Sequence, residues 1–375
     1  MSPKPLIEYL DSLEDPRLES KCSHVLSEVV FMATCAMMCG FDTWTEITLF
    51  AQEREKWFKK LLSLPCGIPS HDTFNRVFAI LPPESLKSIF QEWVQDIIGN
   101  EKVTGQLAID GKALRGAGKG RGNKTIHMVN AWSTDLGMCI GQQKIEDKSN
   151  EITAIPKLLK LLELEGCLVS IDAAGTQTKI ASIILEKDGD YLLAVKDNQP
   201  KLCNEVKQLF QAHWDNSPTD EQGPAFDEQF DKLHGRKERR RCWVIAVDDS
   251  LPLCQKWKAK IVIAVQAERT LKNKTSDYVR YYISSRELKA SAALKATRMH
   301  WSVENHLHWI LDVAFKEDQL QARAGFAGEN LAVIRQWILN MLKQNKSRSL
   351  SMANKRRLCC LNEDYLFESM ALFNK

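Results

Sequence analysis

The sequence predicts a mixed α/β protein in which helices cover a sheet, joined to a helical N-terminal region. Three observations predict this class. Residues 1 to about 100 show the apolar spacing of helices, residues 106–195 alternate short apolar strands with helices, and helical spacing returns from about residue 288. A chain of 375 residues has room for two or three domains.

The composition excludes several other classes. Hydrophobic residues make up 44% and charged residues 26%, as in globular proteins rather than disordered or coiled-coil chains. The most apolar stretch, Val29 to Phe41, is shorter than the roughly 20 residues that a bilayer requires, and the N-terminus lacks signal-peptide features. The 11 cysteines are scattered without a CxxC pair, which favours a reducing compartment. We therefore expect a cytoplasmic protein with no membrane partner.

The N-terminal region is predicted to be helical. Its helices are expected at Leu26–Met38, Thr45–Leu62 and Glu84–Ile98. Between the last two, Ser70 is a candidate N-cap for a helix with an apolar stripe formed by Phe74, Val77 and Phe78. That helix either packs on its neighbours or also lays its polar face on DNA, and the sequence favours neither reading.

The next hundred residues predict the central sheet. Strands are expected at Leu107–Ile109, Ile126–Ser133, Met138–Ile145, Leu168–Ile171 and Tyr191–Val195, with helices at Glu151–Leu164 and Thr178–Leu185. A hairpin turn at 134–137 joins the second strand to the third. The order β-β-β-α-β-α-β combines hairpin and crossover connections, which predicts a mixed sheet.

The remaining residues predict more strands and then helices. Strands are expected at Cys242–Val247, Ala259–Ala267 and Tyr278–Ile283, and helices from about Leu288 to Gln344. We divide the chain into a helical N-terminal domain (1–100), a catalytic core (101–200 and 288–342), a β-rich insertion (201–287) and a basic C-terminal tail (343–375).

Two aspartates follow predicted strands. Asp110 comes after Leu107–Ile109, and Asp172 comes after Leu168–Ile171. In the strand order that this pattern takes in ribonuclease-H-like folds, the first and fourth strands are neighbours, so the two carboxylates would meet. Because like charges repel, such a pair favours a bound cation such as Mg²⁺. A lone aspartate at a strand end is more often a turn or cap residue.

Glu304 is the candidate third acid. Helical spacing places it at the border of an apolar stripe and on the same face as His300 and His308. Two other interpretations stay open: a solvated glutamate on an amphipathic helix, and a transition-metal site made by Glu304 with the two histidines.

Several short motifs together carry a family resemblance. They are Asp15–Arg17, Gly67–Arg76, Ala108–Lys112 with Arg115-Gly116, Ile171–Ala173, Val195–Gln199, His234–Arg236 with Glu238 and Arg240, and the stretch from His300 to Asp318. With these motifs, nearly the whole chain resembles the DDE transposases of bacterial insertion sequences, in particular the H-repeat-associated (Rhs-linked) group. Around Glu304 the chain departs from the wider superfamily, whose Tyr, Arg and Lys positions hold Thr297, His300 and Leu311 here.

The resemblance implies a ribonuclease-H-like core with a β-rich insertion between the second and third acids. It also implies that Asp110, Asp172 and Glu304 bind two Mg²⁺ or Mn²⁺ ions and catalyse DNA strand cleavage and transfer at element ends. The implied partner is double-stranded DNA, bound by a homodimer on paired ends, with the protein nucleoid-associated when bound. Two alternatives stay open: an inactive or domesticated DNA-binding relic, and a nuclease without strand transfer.

Basic clusters suggest where DNA would lie. The glycine-rich loop after Asp110 carries basic residues and no acids, and its alternative reading is a disordered surface loop. A second cluster lies at 231–241, next to Trp243, which with Trp257 is a candidate for base stacking or simply a buried side chain. The expected DNA contacts are Lys112, Arg115, Lys119, Arg121, Arg236, Arg240, Trp243 and His300. The tail at 343–357 binds the DNA backbone or is only a basic end.

Overall fold

A single mixed sheet of nine strands forms the centre of the protein in a computed structural model. The structure describes residues 4–370 apart from 19, 21, 100–102, 117–124, 147–148, 217–224, 234–235 and 272–273, and only the backbone at 233 and 236. The strands are β1 (Gln106–Leu114), β2 (Ile126–Ser133), β3 (Met138–Lys144), β4 (Leu168–Ile171), β5 (Asp190–Val195), β6 (Phe226–Leu233), β7 (Arg236–Ala246), β8 (Ile261–Leu271) and β9 (Lys274–Ser284). Their order in the sheet is β3-β2-β1-β4-β5-β9-β8-β7-β6.

The first five strands form a ribonuclease-H-like core. β1, β2 and β3 are an antiparallel meander, and β4 and β5 continue the sheet parallel to β1. The crossovers are α7 (Glu151–Leu161) before β4 and α8 (Thr178–Glu186) before β5. The predicted order β-β-β-α-β-α-β and the mixed sheet are therefore confirmed.

The residues of the predicted insertion extend the same sheet. β9 pairs antiparallel with β5, and β8, β7 and β6 follow outward. Two helices, α9 (Pro200–Asn216) and α10 (Pro252–Lys256), accompany these strands. β7, β8 and β9 are longer than predicted because their outer ends carry mostly polar and charged residues, which apolar periodicity does not detect.

Helices cluster in the N-terminal region, as predicted. They are α1 (Leu6–Leu10), α2 (Leu26–Met38), α3 (Trp44–Glu53), α4 (Glu55–Phe58), α5 (His71–Ile80) and α6 (Pro83–Ile98). Ser70 caps α5 by accepting a hydrogen bond from the Thr73 amide, and the apolar stripe of α5 is buried. The helix predicted at Thr45–Leu62 breaks at Arg54, whose guanidinium donates to Glu363 and to the Cys360 carbonyl.

The C-terminal helices join the N-terminal helices to the sheet. They are α11 (Ala290–His300), α12 (Trp309–Val313), α13 (Ala327–Gln344), α14 (Met352–Leu361) and α15 (Glu363–Met370), with a π-helical turn at Glu304–His308. α13 is almost entirely buried and packs on α2, α5, α6 and β3. Within the described helices, none has the length and apolarity to cross a membrane.

The described C-terminal residues, up to 370, pack against the body instead of extending as a basic tail. Lys355 donates to the carbonyls of Leu342 and Asn345 at 2.7 and 2.5 Å. Arg356 donates to the Met37 carbonyl and, at 2.8 Å, to Asp42. These two buried cations are satisfied within the protein, so they are not displayed to a DNA backbone.

Candidate metal centre

The two predicted aspartates are brought to the same level of the sheet. The parallel register of β1 and β4 ends with the pair Ile109–Ile171, so the next residues are Asp110, still on β1, and Asp172, just past the end of β4. β1 does not end at Asp110, as the sequence suggested, because its antiparallel pairing with β2 continues to Leu114. Asp110 is thus held within a strand whose parallel neighbour has just ended.

Glu304 reaches this point from the π-helical turn. Ligand atoms of Asp110, Glu304 and His308 all lie within 4.8 Å of one another. The His308 Nδ1 atom is 3.2 Å from a Glu304 oxygen and 3.5 Å from an Asp110 oxygen. Asp172 lies outside this group of three, and its charge acts on Asp110.

The electrostatics show how crowded the carboxylates are. Burial raises the pKa of Asp110 to about 7, against a hydrogen bond from the Gly111 amide that lowers it. The charges of Asp172, Glu151 and Glu304 raise this pKa further. Four carboxylates this close repel one another even though they are only partly buried, and oxygen donors of this kind suit Mg²⁺ or Mn²⁺.

Glu151 is the member of this cluster that the sequence analysis missed. It is the first residue of α7, and a Cβ atom at Gly111 would lie only 1.9 Å from its Oε1 atom. Glycine therefore leaves the space that Glu151 occupies above β1, one residue from Asp110. Burial and the charge of Asp172 raise the pKa of Glu151. The available signal was an acid in the first turn of the helix that follows the third strand.

His300 lies behind Asp172 rather than on the surface. Its side chain is buried, and its Nδ1 atom is 3.1 Å from the Ser170 hydroxyl on β4. Burial lowers the pKa of His300 to about 4, although the charge of Asp172 opposes this change. His300 lines a cavity together with Asp172, so the DNA contact of this residue stays a prediction.

Lys112 also differs from its predicted role. Its ammonium is buried and lies 2.5 Å from Asp312 Oδ1 and 3.6 Å from Glu317 Oε2. This ammonium is therefore paired with two acids of the protein itself. Arg115 in the same segment is exposed, with its Nε atom 3.8 Å from Asp318, whereas Lys119 and Arg121 fall outside the described residues.

The predicted contacts in the outer strands are mostly engaged within the protein. Arg240 forms ion pairs with Asp231 at 2.6 Å and Glu238 at 2.5 Å. Trp243 is only 7% exposed and packs against other aromatic rings. Of the two roles considered for this residue, base stacking and a buried side chain, the structure has the buried side chain. Trp257 is equally buried, and the side chain of Arg236 falls outside the described residues.

An exposed aromatic ring lies elsewhere, beside the acidic cluster. Trp301 is 47% exposed, and the Arg280 guanidinium lies 4.8 Å from its ring centroid and 4.8 Å from that of Tyr278. Trp301 and Arg280 line a cavity of about 370 Å³ that also contains Asp172 and Lys196. They also line a second cavity of about 410 Å³ with Tyr278, Arg240 and Arg298. We call these two adjoining cavities the basic cleft.

Comparison with known proteins shows the family of the chain. Residues 101–341 match the family model described as "Transposase DDE domain", and residues 7–94 match one described as "DDE_Tnp_1-associated". The chain belongs to the DDE transposase family. The family resemblance inferred from the sequence motifs is thereby confirmed.

Full-length relatives come from Escherichia coli. The chain is 40% identical to "Putative transposase YncI" of strain O157:H7 over 99% of this chain and 95% of the relative. It is 36% identical to "H repeat-associated putative transposase YhhI" of strain K12 over 99% of both. A piggyBac transposase solved as a synaptic complex with hairpin DNA aligns over 98% of this chain and 78% of its own, at 12% identity and a TM-score of 0.46.

Proposed function

We propose that the chain is a metal-dependent DNA transposase that cuts a phosphodiester at insertion-sequence ends and joins the freed 3′-hydroxyl to target DNA. The observation that supports this is the convergence of Asp110, Glu304 and the nearby Asp172 at one edge of the sheet. These residues come from β1, the π-helical turn and the end of β4, far apart in the sequence.

Asp110, Asp172 and Glu304 are the residues that would hold two divalent ions, Mg²⁺ or Mn²⁺. When bound, such ions activate the attacking oxygen and stabilise the charge on the leaving oxygen of a phosphodiester. The protein contributes position: Asp110 is held by pairing on β2, and Asp172 accepts a hydrogen bond from the Gly175 amide at 3.2 Å. This chemistry requires that the side chains binding the ions be held rigidly in place.

The basic cleft is our proposed path for the DNA strand. It opens at Asp172, and its lining includes the cations Lys196 and Arg280 and the exposed ring of Trp301. Arg298 also lines it but pairs with Asp231 at 3.0 Å. Cationic and aromatic side chains together suit a nucleic acid strand, since the cations contact phosphates and the ring stacks on a base. Arg115 is the further exposed cation that we retain from the sequence prediction.

The test is a cleavage and strand-joining assay on the flanking repeat DNA with Mg²⁺ or Mn²⁺. We expect wild-type protein to nick and join, and Asp110→Ala, Asp172→Ala and Glu304→Ala each to lose both products. Glu84→Ala, which removes an exposed carboxylate on α6, is the matched control and should retain activity.

The outcomes of this assay separate the alternatives. Specific DNA binding without nicking in any metal would favour a DNA-binding relic, and cleavage without joined product would favour a simple nuclease. Mass measurement of the complex on paired ends tests the expected homodimer, which would contain two chains.

A second measurement tests the basic cleft. Trp301→Ala is expected to weaken binding of single-stranded DNA by about 1–3 kcal/mol, the usual value of one base–aromatic stack. Phe367→Ala, which also removes an exposed aromatic ring but on α15, is the control. Equal affinities for wild type and Trp301→Ala in fluorescence anisotropy would remove Trp301 from the DNA path.

A further inference from the structure

A chain of buried hydrogen bonds leads from α13 to the third acid of the candidate metal centre. Gln336 donates from Nε2 to the Asn130 Oδ1 atom. The Asn130 Nδ2 atom lies 3.3 Å from His308 Nε2, and His308 Nδ1 lies 3.2 Å from a Glu304 oxygen. We call Gln336, Asn130 and His308 the amide relay.

The polarity of the amide relay follows from its acidic end. The Glu304 carboxylate only accepts, so the His308 Nδ1 atom, 3.2 Å away, carries the proton. At the other end Gln336 Nε2 donates to Asn130, while the Cys139 thiol lies 3.2 Å from both Gln336 Oε1 and the Gly141 carbonyl. Asn130 Oδ1 then accepts, and its NH₂ group must donate to His308 Nε2. With Nε2 acting as an acceptor, the neutral imidazole carries its proton on Nδ1, the atom that faces Glu304.

Burial explains what the amide relay does for Glu304. Asn130, Gln336 and His308 are 1%, 3% and 3% exposed, whereas the Glu304 side chain is 60% exposed. A glutamate at the surface samples several rotamers, and fixing it costs conformational entropy. A hydrogen bond from His308, which is held rigidly in the core, to one oxygen of Glu304 offsets this entropic cost. The other oxygen of the carboxylate remains free to bind an ion.

We propose that His308 is a positioning residue that donates its Nδ1 proton to Glu304 and holds this carboxylate beside Asp110, and that it is not itself a metal ligand. This inference deepens the proposed function and rests on it. It distinguishes two hypotheses for the cluster of Asp110, Glu304 and His308. In the first, His308 coordinates the ion; in the second, His308 orients Glu304, and Glu304 coordinates the ion.

The first test is the protonation pattern of His308 in the full chain, read by ¹⁵N-detected histidine NMR with His308→Asn identifying its signals among the eight histidines. We expect a protonated Nδ1 and an unprotonated Nε2, both without metal and with Mg²⁺. Asn130→Asp, whose carboxylate only accepts, should place a proton on Nε2 as well. A proton on Nε2 alone in the wild type would overturn the proposal.

The second test compares two amides at position 308. The nitrogen of asparagine can replace the Nδ1 donor, whereas glutamine reaches only the position of Nε2. In titrations with Mn²⁺ alone, His308→Gln should lower affinity about ten- to a hundredfold, the usual loss when a residue supporting a ligand is removed. His308→Asn should recover most of that loss, with both melting curves confirming folded protein.

The contrary results are distinct. If both variants lose as much Mn²⁺ affinity as Glu304→Gln, and Mg²⁺ displaces the Nδ1 proton of the wild type, His308 is a ligand and the proposal is wrong. Equal affinities for both variants and wild type would also refute it. Neither test measures DNA cleavage, so a failure of the proposed transposase activity is recognised separately, in the nicking assay.

Discussion

Replacing Asp110 by asparagine is expected to stabilise the metal-free protein at pH 8, although it removes a residue that the proposed chemistry needs. The side chain lies among three other carboxylates, those of Asp172, Glu151 and Glu304. Residues arranged for function commonly reduce stability in this way. Asparagine keeps the shape of the side chain and removes the charge.

The magnitude follows from the pKa of Asp110, which burial first and the neighbouring charges second raise from 3.8 to about 7. One pKa unit corresponds to about 1.36 kcal/mol, so ionising this carboxyl costs the folded protein about 4 kcal/mol. The side chain is 26% exposed, so solvent screening makes this an upper value.

The stability difference between wild type and Asp110→Asn depends on pH. Below pH 4 the carboxyl is protonated in both folded and unfolded chains, and wild type and Asp110→Asn should be equally stable at this position. Between pH 4 and 7 the unfolded chain releases the proton while the folded protein keeps it, so the stability of the wild type falls as pH rises. Above pH 7 the full difference favours the asparagine variant.

Urea unfolding followed by tryptophan fluorescence from pH 4 to 8.5 in EDTA measures this difference. Asp72→Asn, which makes the same substitution at a carboxylate with a 72% exposed side chain, is the control. Adding Mg²⁺ should reduce or reverse the advantage of Asp110→Asn, because a cation favours the ionised wild type. A variant that is no more stable than wild type at pH 8 would refute the reasoning.

Two further predictions concern the carboxylates of Glu329 and Glu151. Glu329→Ala should cost about 3–5 kcal/mol in urea unfolding because it leaves the buried ammonium of Lys87, 2.7 Å away, without its buried partner, whereas Glu84→Ala should cost less than about 1 kcal/mol. Equal losses would contradict this. Glu151→Gln removes a charge that raises the pKa of Asp110, so Mn²⁺ binding measured by calorimetry should persist to lower pH than in the wild type, and an unchanged pH profile would count against the contact.

Regular elements with periodic apolar residues were predictable. The predicted bounds of α2, β2 and β4 match the structure residue for residue, because each is a mostly apolar segment followed within two residues by a polar or turn-forming residue. The outer halves of β7 and β9 were not predictable, since their side chains are charged or polar. These parts of the strands are stabilised by pairing with neighbouring strands. Strand formation there depends on the sheet edge, which is not a local property.

The same division applies to the candidate site. Asp110 and Asp172 were predicted because each directly follows an apolar run, which is a local pattern. Glu151 and the amide relay were not predicted from the sequence. The roles of Gly111, Asn130 and Gln336 depend on side chains that are distant in sequence and meet them only in the folded protein.

The sequence by itself determined the family, the mixed α/β class, the order of elements in the core and the acids to consider, because motifs and apolar periodicity are properties of neighbouring residues. Only the tertiary structure decided which charges are available for a ligand. Lys112, Arg240, Lys355 and Arg356 are each neutralised or satisfied by groups distant in sequence or on adjacent strands. Charge availability depends on burial and on partners brought together by packing, and neither can be read along the chain.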